Sequence, residues 1–73
     1  MEKVKIYTPY IKLGQFLKLA HLIDTGGQEK MFLATQLIFV NGESENRRGR
    51  KLFPNDIVKI EDKEFLIEWV LRI

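Results

Sequence analysis

Apolar positions recur along the chain at two spacings, and the switches between them mark out the elements. Residues 1–8 alternate, Val4 and Ile6 set against Lys3 and Lys5, the period of a strand that buries one face. Thr8-Pro9 ends it, because proline donates no ladder hydrogen bond and restricts the residue before it. From Leu13 the spacing becomes helical. Leu13, Phe16, Leu17 and Ala20 fall at i, i+3, i+4 and i+7 and predict an amphipathic helix to about His21 or Ile23, with Gln15 and Lys18 on another face. Gly14 in its first turn lowers helix propensity by about 1 kcal/mol against alanine and leaves room for a close approach by another chain or a ligand. Thr25 followed by Gln28 fits a capping box, so a second helix is expected from there to near Gln36. It carries Gly26 and Gly27 in its first turn, Lys30 outward, and Phe32, Leu33 and Leu37 inward.

Residues 37–40 form a short apolar run that reads as a strand leading into Asn41-Gly42, the pair suited to a type I′ hairpin turn. Lys51-Leu52-Phe53 predicts another short strand and Pro54-Asn55-Asp56 a turn. Ile57, Val58 and Ile60, then Phe65, Ile67, Trp69, Leu71 and Ile73, make two further strands joined by a polar reversal at residues 61–64. Phe65, Ile67 and Trp69 share one face. Leu66 and Val70 make the other face partly apolar, to be covered by the N-terminal strand or by a partner. The fold class is therefore α+β, two short helices on a small, mainly antiparallel sheet.

At 73 residues the chain is expected to be a single domain, 1–73, with a modest core. With 45% hydrophobic and 30% charged residues it is not a disordered chain. The net charge is only +2, so a polyanion site has to come from where the cations sit. They sit together: Arg47, Arg48, Arg50 and Lys51 follow Glu43 and Glu45 directly. Arginine gives planar, bidentate contacts to phosphate and stacks on bases, which a solubility device does not require. Gly49 lets neighbouring cations project to one side. The absence of cysteine excludes disulfides and Cys-based zinc. No apolar run reaches the length of a membrane span and no signal segment is seen, so a cytoplasmic protein without membrane contact is expected.

Enzyme chemistry finds little footing. His21, the only histidine, stands at a helix end beside Leu22 and Ile23, and Ser44 lies between two glutamates without a base. Gly26-Gly27 lacks the Lys-Ser/Thr of a phosphate loop. It is either a helix start offering N–H groups to phosphate or simply a glycine turn between helices. No cofactor is expected.

The order helix, glycine turn, helix, short strand, Val-Asn-Gly, basic segment, Pro-Asn-Asp, strand resembles the S4 domain, an RNA-binding module whose core is called the αL motif. The match is carried by Leu13-Gly14-Gln15-Phe16-Leu17-Lys18, Val40-Asn41-Gly42 and Pro54-Asn55-Asp56-Ile57-Val58, over roughly residues 11–60. Leu-Gly-Gln-Phe-Leu-Lys-Leu-Ala, the glycine pair, Phe-Val-Asn and Asn-Arg-Arg-Gly-Arg-Lys-Leu are similar to the small stand-alone bacterial members of the YaaA type. The resemblance implies a binding surface of Lys12, Gln15 and Lys18 from the first helix region, Gly26, Gly27 and Lys30 from the second, and Asn41, Arg47, Arg48, Arg50 and Lys51. The chain departs from the pattern at Thr25-Gly26-Gly27, where a Ser-Arg-Ser-like start is usual, and at Glu29, where a small residue is common. Lys12 holds a cap position without being a capping residue.

In larger proteins the module accompanies catalytic domains, for which this chain has no room, so a non-catalytic, monomeric binding module is expected. By resemblance its partner is structured RNA, ribosomal RNA foremost, in ribosome assembly or on a ribosomal subunit. The alternative is a protein–protein adaptor using a sheet edge or the hairpin around Phe65 and Trp69. DNA fits less well, because no helix concentrates cations for the major groove.

Overall fold

The segments that alternate in sequence pair through one sheet, and the segments of helical period lie on it. The structure, a computed structural model, describes residues 1–70. In chain order the elements are β1 (Glu2–Ile6), β2 (Ile11–Lys12), α1 (Leu13–Leu19), a single 3-10 turn (Gly26–Gln28) and α2 (Glu29–Thr35). There follow β3 (Ile38–Val40), β4 (Glu43–Ser44), β5 (Lys51–Leu52), β6 (Ile57–Ile60) and β7 (Lys63–Trp69). Five strands form a sheet in the order β1-β7-β6-β3-β4, antiparallel throughout except that β1 runs parallel to β7. The α+β reading of the sequence is borne out.

One face of this sheet is the core. Val4, Ile6, Ile38, Val40, Val58, Ile60, Phe65 and Ile67 are buried, together with Leu13, Phe16, Leu17 and Ala20 of the first helical stripe. Phe16 meets Phe65 edge to face at 5.4 Å between centroids, the favourable geometry for two rings. Of the two expected covers for the opposite sheet face, β1 is not the one. β1 lies in the plane of the sheet and extends it, and Leu66 and Val70 stay half-buried. Leu71 and Ile73 lie outside the described residues.

Helix ends follow local chemistry. α1 stops at Leu19, where His21 takes a left-handed φ of 60°. The His21 N–H donates to the Lys18 carbonyl and the Leu22 N–H to that of Leu17, the paired bonds of a Schellman end. The Gln28 side chain accepts from the backbone N–H groups of Asp24 and Thr25, so the expected cap is used, but it opens a 3-10 turn and α2 proper begins only at Glu29. α2 ends at Thr35, so Leu37 is not on its inner face. It is 70% exposed, because the chain is already extended there and Ile38 takes the inward position.

Turns obey their residues too. Asn41 and Gly42 have φ of 52° and 85°, as a type I′ turn requires, and close β3 onto β4 with Val40 opposite Glu43. After Pro54, Asn55 sits at φ 76° and the Asp56 N–H donates to the Phe53 carbonyl at 3.0 Å, a type II turn. The polar reversal shortens to Glu61 and Asp62, and Lys63 and Glu64 join β7. A second, two-stranded sheet pairs β2 with β5, Ile11 opposite Leu52 and Lys12 opposite Lys51. That small ladder brings the start of α1 against the end of the basic segment.

A candidate nucleic-acid interface

The basic segment is held in the first place by its backbone. The first N–H groups of α1 have no partner within the helix. Here Leu13 donates to the Arg50 carbonyl at 2.8 Å and Gly14 to that of Arg48 at 2.9 Å. Lys12, in extended conformation at the N-cap, makes no side-chain cap, and its side chain stays exposed. The loop carbonyls do the capping instead. A further bond, Arg50 N–H to the Arg47 carbonyl at 3.1 Å, closes the loop into a turn.

Glu45 pins the same loop from inside. Its side chain is only 5% exposed, and it accepts from the N–H groups of Asn46 and Arg47. It also takes Arg47 in a fork, Nε and Nη2 both at 2.9 Å, and Arg50 Nη1 at 2.8 Å. Hydrogen bonds from Arg47 and then Arg50 hold its carboxyl well below the usual carboxylate range, against the opposing effect of burial. The same pairing raises the Arg47 guanidinium. Two of the clustered cations are therefore engaged in structure.

The remaining cations converge. Lys12, Gln15, Lys18, Arg48 and Gly49 line one groove along α1, with Gly14 and Glu29 in it. Lys30, Asn46 and Arg48 border a second, floored by Leu33 and Ala34. Arg47, Gly49, Arg50, Lys51 and Phe53 border a third. Arg48 belongs to the first two and Gly49 to the first and third, so the three grooves adjoin at the loop. Lys18 shares the first groove with Arg48, and Lys30 shares the second with it.

Other candidates stand elsewhere. Asn41 accepts from the Ile57 N–H at 2.9 Å and donates to Asp56 Oδ1 at 3.0 Å, so its amide ties the hairpin turn to β6. Gly26 stands beside the Lys18–Glu29 pair, a Cβ there lying 3.9 Å from Glu29 Oε1. Gly27 lines an apolar groove with Leu22, Ile23, Met31 and Phe32. His21 is exposed and serves as the left-handed residue ending α1, and Ser44 is exposed on β4.

Sequence reasoning missed four residues here. Glu45 looked like one more surface acid; only its burial reveals the clamp. Glu29, noted only as a departure from the family pattern, lies 3.8 Å from Lys18 Nζ and 4.0 Å from an Arg48 nitrogen. Tyr10 and Phe53 form a tilted, partly exposed pair at 5.8 Å, with Lys51 Nζ 4.8 Å from the Tyr10 ring centre. Phe53, just after the basic segment, was a readable signal for one member of that pair, whereas Tyr10 is brought there only by the fold.

The described residues contain no helix long and apolar enough to cross a membrane. The chain is similar to the Probable ribosome maturation protein RlbA of Bacillus subtilis (strain 168), 53% identical over 58 residues that span 80% of this chain and 82% of the relative. The family description "S4 domain" matches residues 4–68, and with helices, hairpin turn and basic loop arranged as above, the chain belongs to the S4 domain family.

Proposed function

We propose that this protein binds structured RNA, ribosomal RNA foremost, and acts without catalysis in ribosome maturation in the bacterial cytoplasm, as a monomer that meets RNA or a ribosomal subunit. The observation that carries the reading is a loop fixed by its own backbone, around which adjoining grooves are lined by Lys12, Lys18, Lys30, Arg48 and Lys51. A loop whose backbone is already fixed has little left to order when it meets a phosphate chain, and clustered cations concentrate field. Lys12, Gln15, Lys18, Lys30, Arg48 and Lys51 make the contacts, with Gly26 and Gly49 leaving the backbone open at the edge. Arg47 and Arg50 shape the loop and offer their remaining donors. Tyr10 and Phe53 present ring faces on which an unpaired base can stack. Membership of the S4 family and the likeness to a probable ribosome maturation protein support the ribosomal setting.

The test is a titration of ribosomal RNA at several salt concentrations. With roughly four cations on phosphates, log affinity falls against log salt with a slope of about −3 to −4. The variant with Lys12, Lys18, Lys30 and Arg48 all changed to glutamine flattens that slope while keeping its cooperative unfolding. Salt-independent binding, or a variant equal to the wild type, overturns the reading. Retention of a protein partner, tolerant of salt and lost on Trp69→Ala, would point instead to the adaptor reading.

A further inference from the structure

Glu29 is an acid set in the middle of the basic groove, and its surroundings are specific. Its side chain is 13% exposed, and its neighbours Lys18 and Arg48 stand at 3.8 and 4.0 Å, beyond hydrogen-bond reach. The side chains of Lys18 and Arg48 remain 44% and 74% exposed. The carboxylate rests on bare backbone: a Cβ at Gly14 would lie 2.8 Å from its Cδ and Oε2 and 2.9 Å from Oε1. Only a glycine at position 14 leaves room for the carboxylate here, which packs closely on the backbone while staying out of hydrogen-bond reach of both cations.

We propose that the hollow this carboxylate occupies, floored by Gly14 and flanked by Lys18 and Arg48, is a subsite for one RNA phosphodiester, with the Glu29 carboxylate as its internal stand-in. The inference rests on the RNA-binding reading above. A carboxylate and a phosphodiester offer the same charge and the same kind of acceptor oxygens. The phosphate's oxygens spread wider and reach both cations at hydrogen-bond distance, where the carboxylate reaches neither. On binding, Lys18 and Arg48 exchange Glu29 for phosphate and Glu29 turns outward to water. Two effects follow in the free protein. The cations are kept aligned over the groove, and weak polyanion contacts that cannot displace Glu29 are disfavoured.

The sign of one substitution decides this. Glu29→Gln, which keeps the shape and removes the charge, raises affinity for a labelled RNA stem-loop by about three- to tenfold at low salt, in line with two weak exposed ion pairs released. It also delays elution from immobilised heparin. Glu43→Gln, the same charge change on the exposed β4, moves neither readout by comparison. In a background carrying Lys18→Gln and Arg48→Gln, Glu29→Gln has no effect, which separates competition at this hollow from a general change in net charge. A weakened Glu29→Gln would mean that the carboxylate itself accepts from a base, and the proposal falls. It falls equally if Glu43→Gln matches Glu29→Gln or if the gain persists in the double background. Should neither wild type nor variant bind the stem-loop while the heparin shift remains, the RNA reading fails and the anion subsite stands.

Discussion

Glu45 and Glu29 each face two basic side chains, in different surroundings and at different distances. Glu45 is enclosed, with two arginines at 2.8–2.9 Å and two backbone N–H groups completing its shell. Glu29 lies in an open groove with its cations at 3.8 and 4.0 Å. A buried carboxylate is stable only when its acceptor sites are filled at short range, so the arginines at Glu45 are committed to the loop. Loose pairs at a wet surface contribute little, so Lys18 and Arg48 remain free to change partner. Charges that look alike in sequence therefore divide into a set committed to the loop and a set left open to other partners, and the dividing quantity is distance under burial.

The largest effect comes from removing what both regions rest on. α1 carries Lys18 and receives the loop carbonyls at its start, and Phe16 anchors it with no exposed surface, against Phe65. Phe16→Ala costs about 3–5 kcal/mol in chemical denaturation, because the ring leaves a cavity the sheet cannot close. A small loss with cooperativity intact would show that the two regions are held from elsewhere.

Next in size is the clamp alone. Glu45→Gln keeps the volume but replaces charge-assisted bonds with weaker ones, at a cost of about 1–3 kcal/mol. The pH dependence has a defined sign. The folded carboxyl titrates below its ordinary value of 4.5, so its contribution is complete above that value and is lost as pH falls toward the folded value. Acid unfolding of the wild type is therefore steeper below about pH 4.5 than that of Glu45→Gln, with the two curves converging at low pH. Parallel acid limbs would mean that Glu45 is no more stabilised in the fold than in the unfolded chain.

Whatever depended on near neighbours was legible in the sequence. The helical stripe of Leu13, Phe16, Leu17 and Ala20, the Asn41-Gly42 reversal and the Pro54-Asn55 turn are fixed within a few residues and appear where the spacing puts them. The parallel partner of β1 was not legible, since β1 and β7 stand at opposite ends of the chain and alternation names no partner. Leu37 misled because the periodic pattern runs on past the point where the helix stops. At the site, the residue types and their clustering could be read, but not their commitments. That Glu45 grips Arg47 and Arg50, or that Glu29 meets Gly14 fifteen positions earlier, depends on how an irregular loop and two helices fold against each other.

A smaller effect separates the two arginine sets directly. Arg48→Gln weakens RNA binding by about three- to tenfold at low salt and lowers the salt slope by about 1, with thermal unfolding unchanged. Arg47→Gln lowers the unfolding temperature, since Glu45 loses its fork, and shifts RNA affinity less than Arg48→Gln does. Melting curves and titrations on the same preparations check both. If Arg47→Gln matches Arg48→Gln in affinity and leaves melting untouched, the structural assignment of Arg47 is wrong.

The smallest effect is expected of Lys3, and it guards the comparison against a trivial explanation. Lys3 lies on β1, the sheet edge opposite β4, and pairs with Glu68 at 3.6 Å with both side chains well exposed. Such a pair contributes within about 0.5 kcal/mol, so Lys3→Gln leaves unfolding nearly unchanged. It removes the same unit of charge as Arg48→Gln. Beyond a Debye length of about 10 Å at 0.1 M salt, an exposed charge is largely screened from a phosphate held elsewhere. RNA affinity and salt slope for Lys3→Gln therefore stay at wild-type values at moderate salt. If the slope falls as it does for Arg48→Gln, binding follows net charge over the whole chain, and the division between a clamped loop and a free groove has no bearing on RNA.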